Sequence, residues 1–326
     1  FHPEVLKQFY GDWYRPDLMA VIAVGDFDGE YVESLIEDHF SPLTGPEDPK
    51  PRGFFDVPDH QETLFAIATD EEVPISSVSL YFKQPIQAQG TVRAYRQEIV
   101  EGFFNSMLNQ RLSELAQKAD PPFLAAGSSQ GNLNRAKGAY ILGATVDDEG
   151  ILLGLETILR EAERVAQHGF TKPELERVKT TALRSMERSY EGRETRASGS
   201  FVGGFINHFL RGSQIGDIGF RYQLYQRFVP DITVEEVNQL AREWITDQNR
   251  VVLVSAPEKE GLHTPTELEL ASVMEAVSAE ELEPYAETLA DDPLIADLPD
   301  PGLIVSERVL DTVGVTEWTL SNGAVV

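Results

Sequence analysis

The histidines that could bind zinc or act as a base are few and scattered. The six histidines stand at His2, His39, His60, His168, His208 and His263, and there is no cysteine. A helical metal site needs two ligands about one turn apart. No two of these histidines are that close, and without cysteine there is no thiolate for zinc, for a disulfide or for nucleophilic attack. His60-Gln61-Glu62 sets one imidazole beside one carboxylate but has no second histidine, so it reads as surface loop. His208, between Asn207 and Phe209, reads as packed rather than metal-bound. Gly127-Ser128-Ser129-Gln130-Gly131 lacks the lysine of a phosphate loop and reads as a turn. Serine, histidine and aspartate are present without a nucleophile-elbow context. Residues 199–203 spell G-x-x-x-G, which in a soluble helix allows close packing and marks no membrane dimer.

Composition narrows the partners. The chain has 326 residues, 41% hydrophobic and 25% charged, enough for two globular cores at roughly 100 to 200 residues each. Lysine and arginine total 27 against 54 acids, a formal charge of −27. Phosphate backbones need clustered cations, so nucleic acid is not an expected partner. Residues 257–311 hold 15 acids and 2 bases, net −13, leaving −14 on the remaining 271 residues. Such a surface repels itself, and salt would relieve it. No apolar run approaches the roughly 18 residues of a bilayer span, and no signal-peptide pattern opens the chain. Phe1 stands where a methionine would begin a gene product, so an upstream part is expected.

The elements follow from periodicity and turn chemistry. Leu6, Phe9, Tyr10 and Trp13 mark one face of a helix over 2–15, stopped by Pro16, and Leu18 to Val24 reads as a buried strand. Gly25-Asp26-Phe27-Asp28 reads as a turn whose acidic residues can cap a second helix over 30–40. Residues 41–58, with five prolines, read as a linker. Strands follow at 63–69 and 76–84, a long helix at 92–119, and antiparallel strands at 123–130 and 139–146. The helix over 152–168 ends at Gly169, read as an αL cap. Thr171 and Glu174 form a capping box for the next helix, and Thr233 and Glu236 another. A glycine-rich helix spans 198–211, read as packing closely on a neighbour, and a strand spans 250–255. Asn322-Gly323 predicts a type I′ hairpin near the end.

One unit occurs twice. Val237, Leu240, Trp244 and Ile245 fall on Leu6, Phe9, Trp13 and Tyr14 at a constant offset of 231, each run leading into an apolar strand. That spacing is too long for a solenoid and predicts two related α/β domains.

Trp13-Tyr14-Arg15-Pro16-Asp17-Leu18-Met19, then Val24-Gly25-Asp26-Phe27-Asp28, resemble the end of the first domain of the pitrilysin and insulinase type zinc peptidases. The terminal Leu320-Ser321-Asn322-Gly323 is similar to the opening strand of each half of those proteins. The resemblance implies an α/β protein of α+β type, with mostly antiparallel sheets, helices packed on one face, and a duplicated domain architecture. On it, residues 1–56 are the C-terminal part of a catalytic-type domain with its linker, and 57–257 a second, homologous, non-catalytic domain. Residues 258–311 are then an acidic connector and 312–326 the start of a third domain.

The family's H-x-x-E-H motif is absent here. The resemblance therefore implies zinc in the intact protein, on ligands outside this sequence, with this chain forming chamber wall and contacting a peptide or small protein substrate. It also implies a second half of the same protein, or a homologous subunit, as partner. The alternative is a non-catalytic homologue acting as a binding or assembly subunit. Arg111 matches an arginine that meets substrate in such enzymes, but Phe123 stands where they carry a tyrosine and cannot donate a hydrogen bond. Leu124 and Ala126, on the 123–130 strand, are candidate peptide contacts by strand addition.

Overall fold

The structure, a computed structural model, describes residues 2–286 and 301–326. It divides into two compact units, Phe1–Tyr285 and Ala286–Val326. The first unit opens with α1 (Pro3–Trp13) and α2 (Gly29–Phe40), then β1 (Leu64–Asp70), β2 (Ser76–Pro85), α3 (Val92–Ala116), β3 (Ala125–Asn132) and β4 (Lys137–Val146). It continues through α4 (Ile151–His168), α5 (Lys172–Glu191), α6 (Gly199–Arg211), α7 (Ile218–Phe228), α8 (Val234–Trp244), β5 (Arg250–Pro257) and α9 (Glu267–Ser278).

The strands form one sheet in the order β1-β5-β2-β4-β3, with only the β1–β5 pair parallel. Side-chain alternation decides which face is covered. Leu80 lies opposite Leu142 and Val252, and Val78 opposite Ala144 and Val254, so the buried residues of three strands share one face. Helices α3, α4 and α8 cover it. Phe104, Tyr140 and Trp244 meet there with ring centroids 4.9 to 5.9 Å apart. At the other face Tyr81, Ile141, Thr145 and Val251 remain half-buried and Leu253 exposed. The α/β architecture with helices on one face is as the sequence implied.

Close packing occurs at a different glycine from those expected. A Cβ on Gly154 would stand 2.5 Å from Val146 Cγ1, so the absent side chain is what lets α4 rest on β4. Gly199, Gly203 and Gly204 of α6 have nothing within 4 Å of such a Cβ, and α6 buries no residue.

The repeated unit is built twice but docked once. Both α1 and α8 are 11 residues long and end on tryptophan. After each the chain turns at φ −92°, Tyr14 donating its N–H to Tyr10 O and Ile245 to Ala241 O. In α8, Val237, Leu240 and Trp244 are buried, and β5 inserts between β1 and β2. In α1, Leu6 and Phe9 are 57% and 55% exposed. The predicted strand at 18–24 is not formed: residues 16–18 make one 3₁₀ turn, and among the described residues no strand pairs with 19–24. Ladder hydrogen bonds need a neighbour, whatever the intrinsic preference.

Three other expectations change. Gly169 has φ +75° but ψ −177°, an extended glycine conformation rather than αL. Thr233 caps α8, but the reciprocal half of that box is missing because the Glu236 carboxylate forks onto Arg96. Residues 258–285 are no free connector. Helix α9 is capped by a complete Thr266–Glu269 box and buries Leu270, Met274 and Val277, and Arg160 and His168 hold Glu280 and the Leu282 carbonyl. The remainder of that expected connector at 287–300 lies outside the described residues.

In the second unit β6 (Ile304–Leu310) pairs antiparallel with β7 (Val315–Leu320), so the first strand lies within the span expected as connector. The hairpin at Asn322-Gly323 forms, but only Gly323 takes positive φ. Leu320 N donates to Ala324 O around three loop residues, which a type I′ turn with its two-residue loop would not do.

Candidate functional site

Two of the candidate residues sit within the core and two on the sheet edge. Arg111 lies on the buried side of α3, its side chain 1% exposed. Its Nε donates to Glu174 Oε1 at 2.7 Å and Nη2 to Glu174 Oε2 at 2.9 Å, a two-pronged pair that suits the planar guanidinium. Nη2 also reaches the Gly169 carbonyl at 3.3 Å. The cation stacks over Tyr285 at 4.1 Å and Phe170 at 4.9 Å. Glu174 is at once the third residue of α5 and the partner of Thr171, whose backbone and hydroxyl donate to its Oε2 at 2.7 and 2.9 Å. Burial pushes the Glu174 carboxyl up, but Arg111 and Thr171 together outweigh it and hold the acid below its ordinary range. An arginine so enclosed ties α3 to the start of α5 and to Tyr285. Among the described residues none of its hydrogen bonds, ion pairs or ring contacts goes to 123–126.

Phe123 is 2% exposed and belongs to the main core, the packing role left to an aromatic without a hydroxyl. Leu124 is 50% exposed, and its N–H donates to the Thr145 carbonyl at 2.9 Å, so its backbone already serves the sheet. Ala126 is half-buried in β3, the sheet's edge strand.

That edge is partly occupied from α3. Asn109 accepts from Ser128 N at 2.6 Å and donates to Ser128 O at 3.1 Å, closing both backbone groups of that residue on the side away from β4. Ser128 Oγ donates to Asn105 Oδ1 at 2.8 Å. Antiparallel alternation turns the backbone groups of Ala126 and Gln130 to the same side as those of Ser128. The edge is therefore clamped at one position and offers its neighbours. Asn105 and Asn109 were not singled out from sequence, although two asparagines at i and i+4 in a helix are a signal: neither favours the helix, and they share a face.

Among the described residues no group of three or more histidines and acids stands close enough to hold a metal. The ring nitrogens of His60, His168 and His208 contact the carbonyls of Glu62, Leu282 and Ser213, and His263 pairs with Glu269.

Comparison with known proteins agrees with the fold. The family model described as the peptidase M16 inactive domain matches residues 1–182. The chain belongs to the peptidase M16 family. A zinc protease PQQL-like protein of Arabidopsis thaliana is 30% identical over 319 residues, 98% of this chain and 30% of its own length. A probable zinc protease PqqL of Escherichia coli is 24% identical over 243 residues, 74% of this chain and 26% of its own. The crystal structure of the periplasmic protease PqqL from Escherichia coli shares the fold with TM-score 0.75 and 22% identity, over 100% of this chain and 36% of that one. This M16 chain thus spans less than a third of the curated relatives' length.

Proposed function

We propose that this chain is a non-catalytic part of a larger zinc-dependent endopeptidase, forming a wall of the enclosed chamber and contacting the peptide there. The observation that carries the reading is the match to an inactive M16 domain on a chain whose described residues offer no metal site. The zinc chemistry then belongs to ligands elsewhere in the whole protein.

The helix-free face of the sheet supports a wall role. Tyr81, Ile141, Thr145 and Val251 give it a broad, half-buried and mixed surface, suited to many peptide sequences rather than one. Beside it the free backbone groups of β3 at Ala126 and Gln130 can add a substrate strand, with Leu124 as an exposed apolar contact. The exposed apolar stripe of α1 and the unpaired 19–24 segment fit the end of a neighbouring, catalytic-type domain whose sheet they would complete, as α8 and β5 complete theirs.

The test compares this chain with its full-length parent for zinc content and for hydrolysis of an unstructured peptide. Zinc and cleavage in the parent alone support the reading. A parent with neither replaces it by the non-catalytic binding or assembly subunit, and zinc bound stoichiometrically by this chain alone contradicts it.

A further inference from the structure

We infer that the cleft between α3, α6 and α7 is a second binding site, one that takes an extended peptide segment carrying acidic and apolar side chains. The inference rests on the peptidase reading for its substrate class. The cleft has a volume of about 750 Å³ and is lined by Arg193, Arg196, Arg211 and Arg221. In a chain of net charge −27 with 27 basic residues in all, four arginines on one cleft are a marked local reversal of sign.

The acids in the lining neutralise it only in part, and the Glu98 carboxylate feels the charge of Arg221. Glu98 accepts from Gln214 Nε2 at 2.9 Å, and the Asp217 carboxylate caps α7, accepting from the N–H groups of Gly219 and Phe220 at 3.1 Å each. Arg221 donates Nε to Tyr95 Oη at 3.1 Å, and Arg193 pairs with its neighbour Glu194. Arg196 lies over the Phe201 ring at 4.5 Å. Among the described residues neither Arg196 nor Arg211 forms an ion pair with a carboxylate. Guanidinium groups of this kind suit carboxylates, which they can bind through two parallel hydrogen bonds.

The spacing selects a chain over a small anion. Arg196 precedes α6 and Arg211 ends it, so the 13-residue helix separates them. At 1.5 Å per residue that is about 20 Å. An extended peptide covers that backbone separation in about six residues, which suits a chain better than a single small anion. The lining also presents apolar side chains, with Phe201 40% and Ile215 51% exposed. A ligand with alternating acidic and apolar side chains meets both features.

The experiment measures fluorescence anisotropy of a labelled ten-residue peptide of alternating glutamate and leucine added to the full 326-residue chain. The glutamine and leucine counterpart is the control. The acidic peptide is expected to bind more tightly than the control despite the chain's net negative charge, and to weaken as salt is raised. Arg196→Gln/Arg211→Gln is expected to raise Kd about fivefold, and the glutamate pair tenfold or more, with unfolding midpoints unchanged because both side chains lie at the surface. Equal binding of the control peptide, or a Kd within twofold of wild type in both variants, overturns the proposal. Cleavage of a neutral peptide by the parent is followed separately. Cleavage without an anisotropy response sinks the cleft and leaves the peptidase; binding without cleavage does the reverse.

Discussion

Replacing Arg111 by methionine is the sharpest test of how this domain is held together. The guanidinium and the Glu174 carboxylate are 1% and 5% exposed and joined at 2.7 and 2.9 Å. Removing the cation alone leaves a carboxylate inside the protein with Thr171 as its remaining partner. Breaking a buried pair from one side costs about 3 to 5 kcal/mol. The loss of the stack on Tyr285 and Phe170 adds about 0.5 to 1 kcal/mol per ring, partly returned by the methionine's own burial. A net loss of about 4 kcal/mol is therefore expected for Arg111→Met. Glu174→Gln should cost a similar amount, because it strands the arginine and weakens the α5 capping box. The double variant should be less damaged than the two single losses added together, with a coupling of about 2 kcal/mol or more. Urea unfolding followed by tryptophan fluorescence reads this directly, since Trp244 lies in the same aromatic core. If Arg111→Met loses under 1 kcal/mol, or the two losses simply add, the pair is not the tie described. If Arg111→Met keeps its stability and instead weakens peptide binding, the arginine is a substrate contact after all.

The remaining expectations concern the edge, two kinds of glycine and acid. Ala126→Pro should weaken peptide association while shifting the thermal midpoint by no more than about 3 °C, because the proline removes an edge N–H and no ladder bond. Leu124→Pro, which deletes the bond to the Thr145 carbonyl, should destabilise the sheet, and the two midpoints measured side by side decide the assignment. Gly169→Ala should cost about 3 kcal/mol in urea unfolding: φ is +75°, and the new Cβ would collide with Asn238, whose amide clasps both backbone groups of Phe170. Gly203→Ala with Gly204→Ala should raise the unfolding free energy, each by up to about 1 kcal/mol, since α6 has open space there; a loss would mean that something packs on that face. Glu174 and Glu236 are both held below the ordinary carboxylate range. Burial, the largest influence on Glu174, is outweighed by Arg111 and Thr171, and Glu236 is lowered chiefly by Arg96. Their stabilisation is complete above the unfolded value near 4.5 and is lost as pH falls through the lower folded values. Unfolding midpoints taken from pH 6 down to pH 2 should fall less steeply in Arg111→Met/Glu174→Gln than in wild type.

Local chemistry was legible in the order of residues. Thr171 and Glu174 form the capping box their spacing predicts, and alternation in 76–84 identified the buried face of β2. These features depend on neighbours within about four positions, which sequence records directly. The helix-strand unit was visible as well, and both copies keep the same length and final tryptophan. Whether a copy becomes a strand depended on something else. Residues 250–257 find β1 and β2 on either side, while 19–24 find no partner among the described residues. Arg111 shows the same limit: its position on α3 could be read from sequence, but its partner stands 63 residues later and Tyr285 later still. The cleft arginines are likewise brought together by α6 and α7. Sequence by itself determined most of the helices and the Thr171 cap, which depend on near neighbours. Tertiary structure decided which charges are neutralised and which edges are closed, because pairing and burial are set by distance in space.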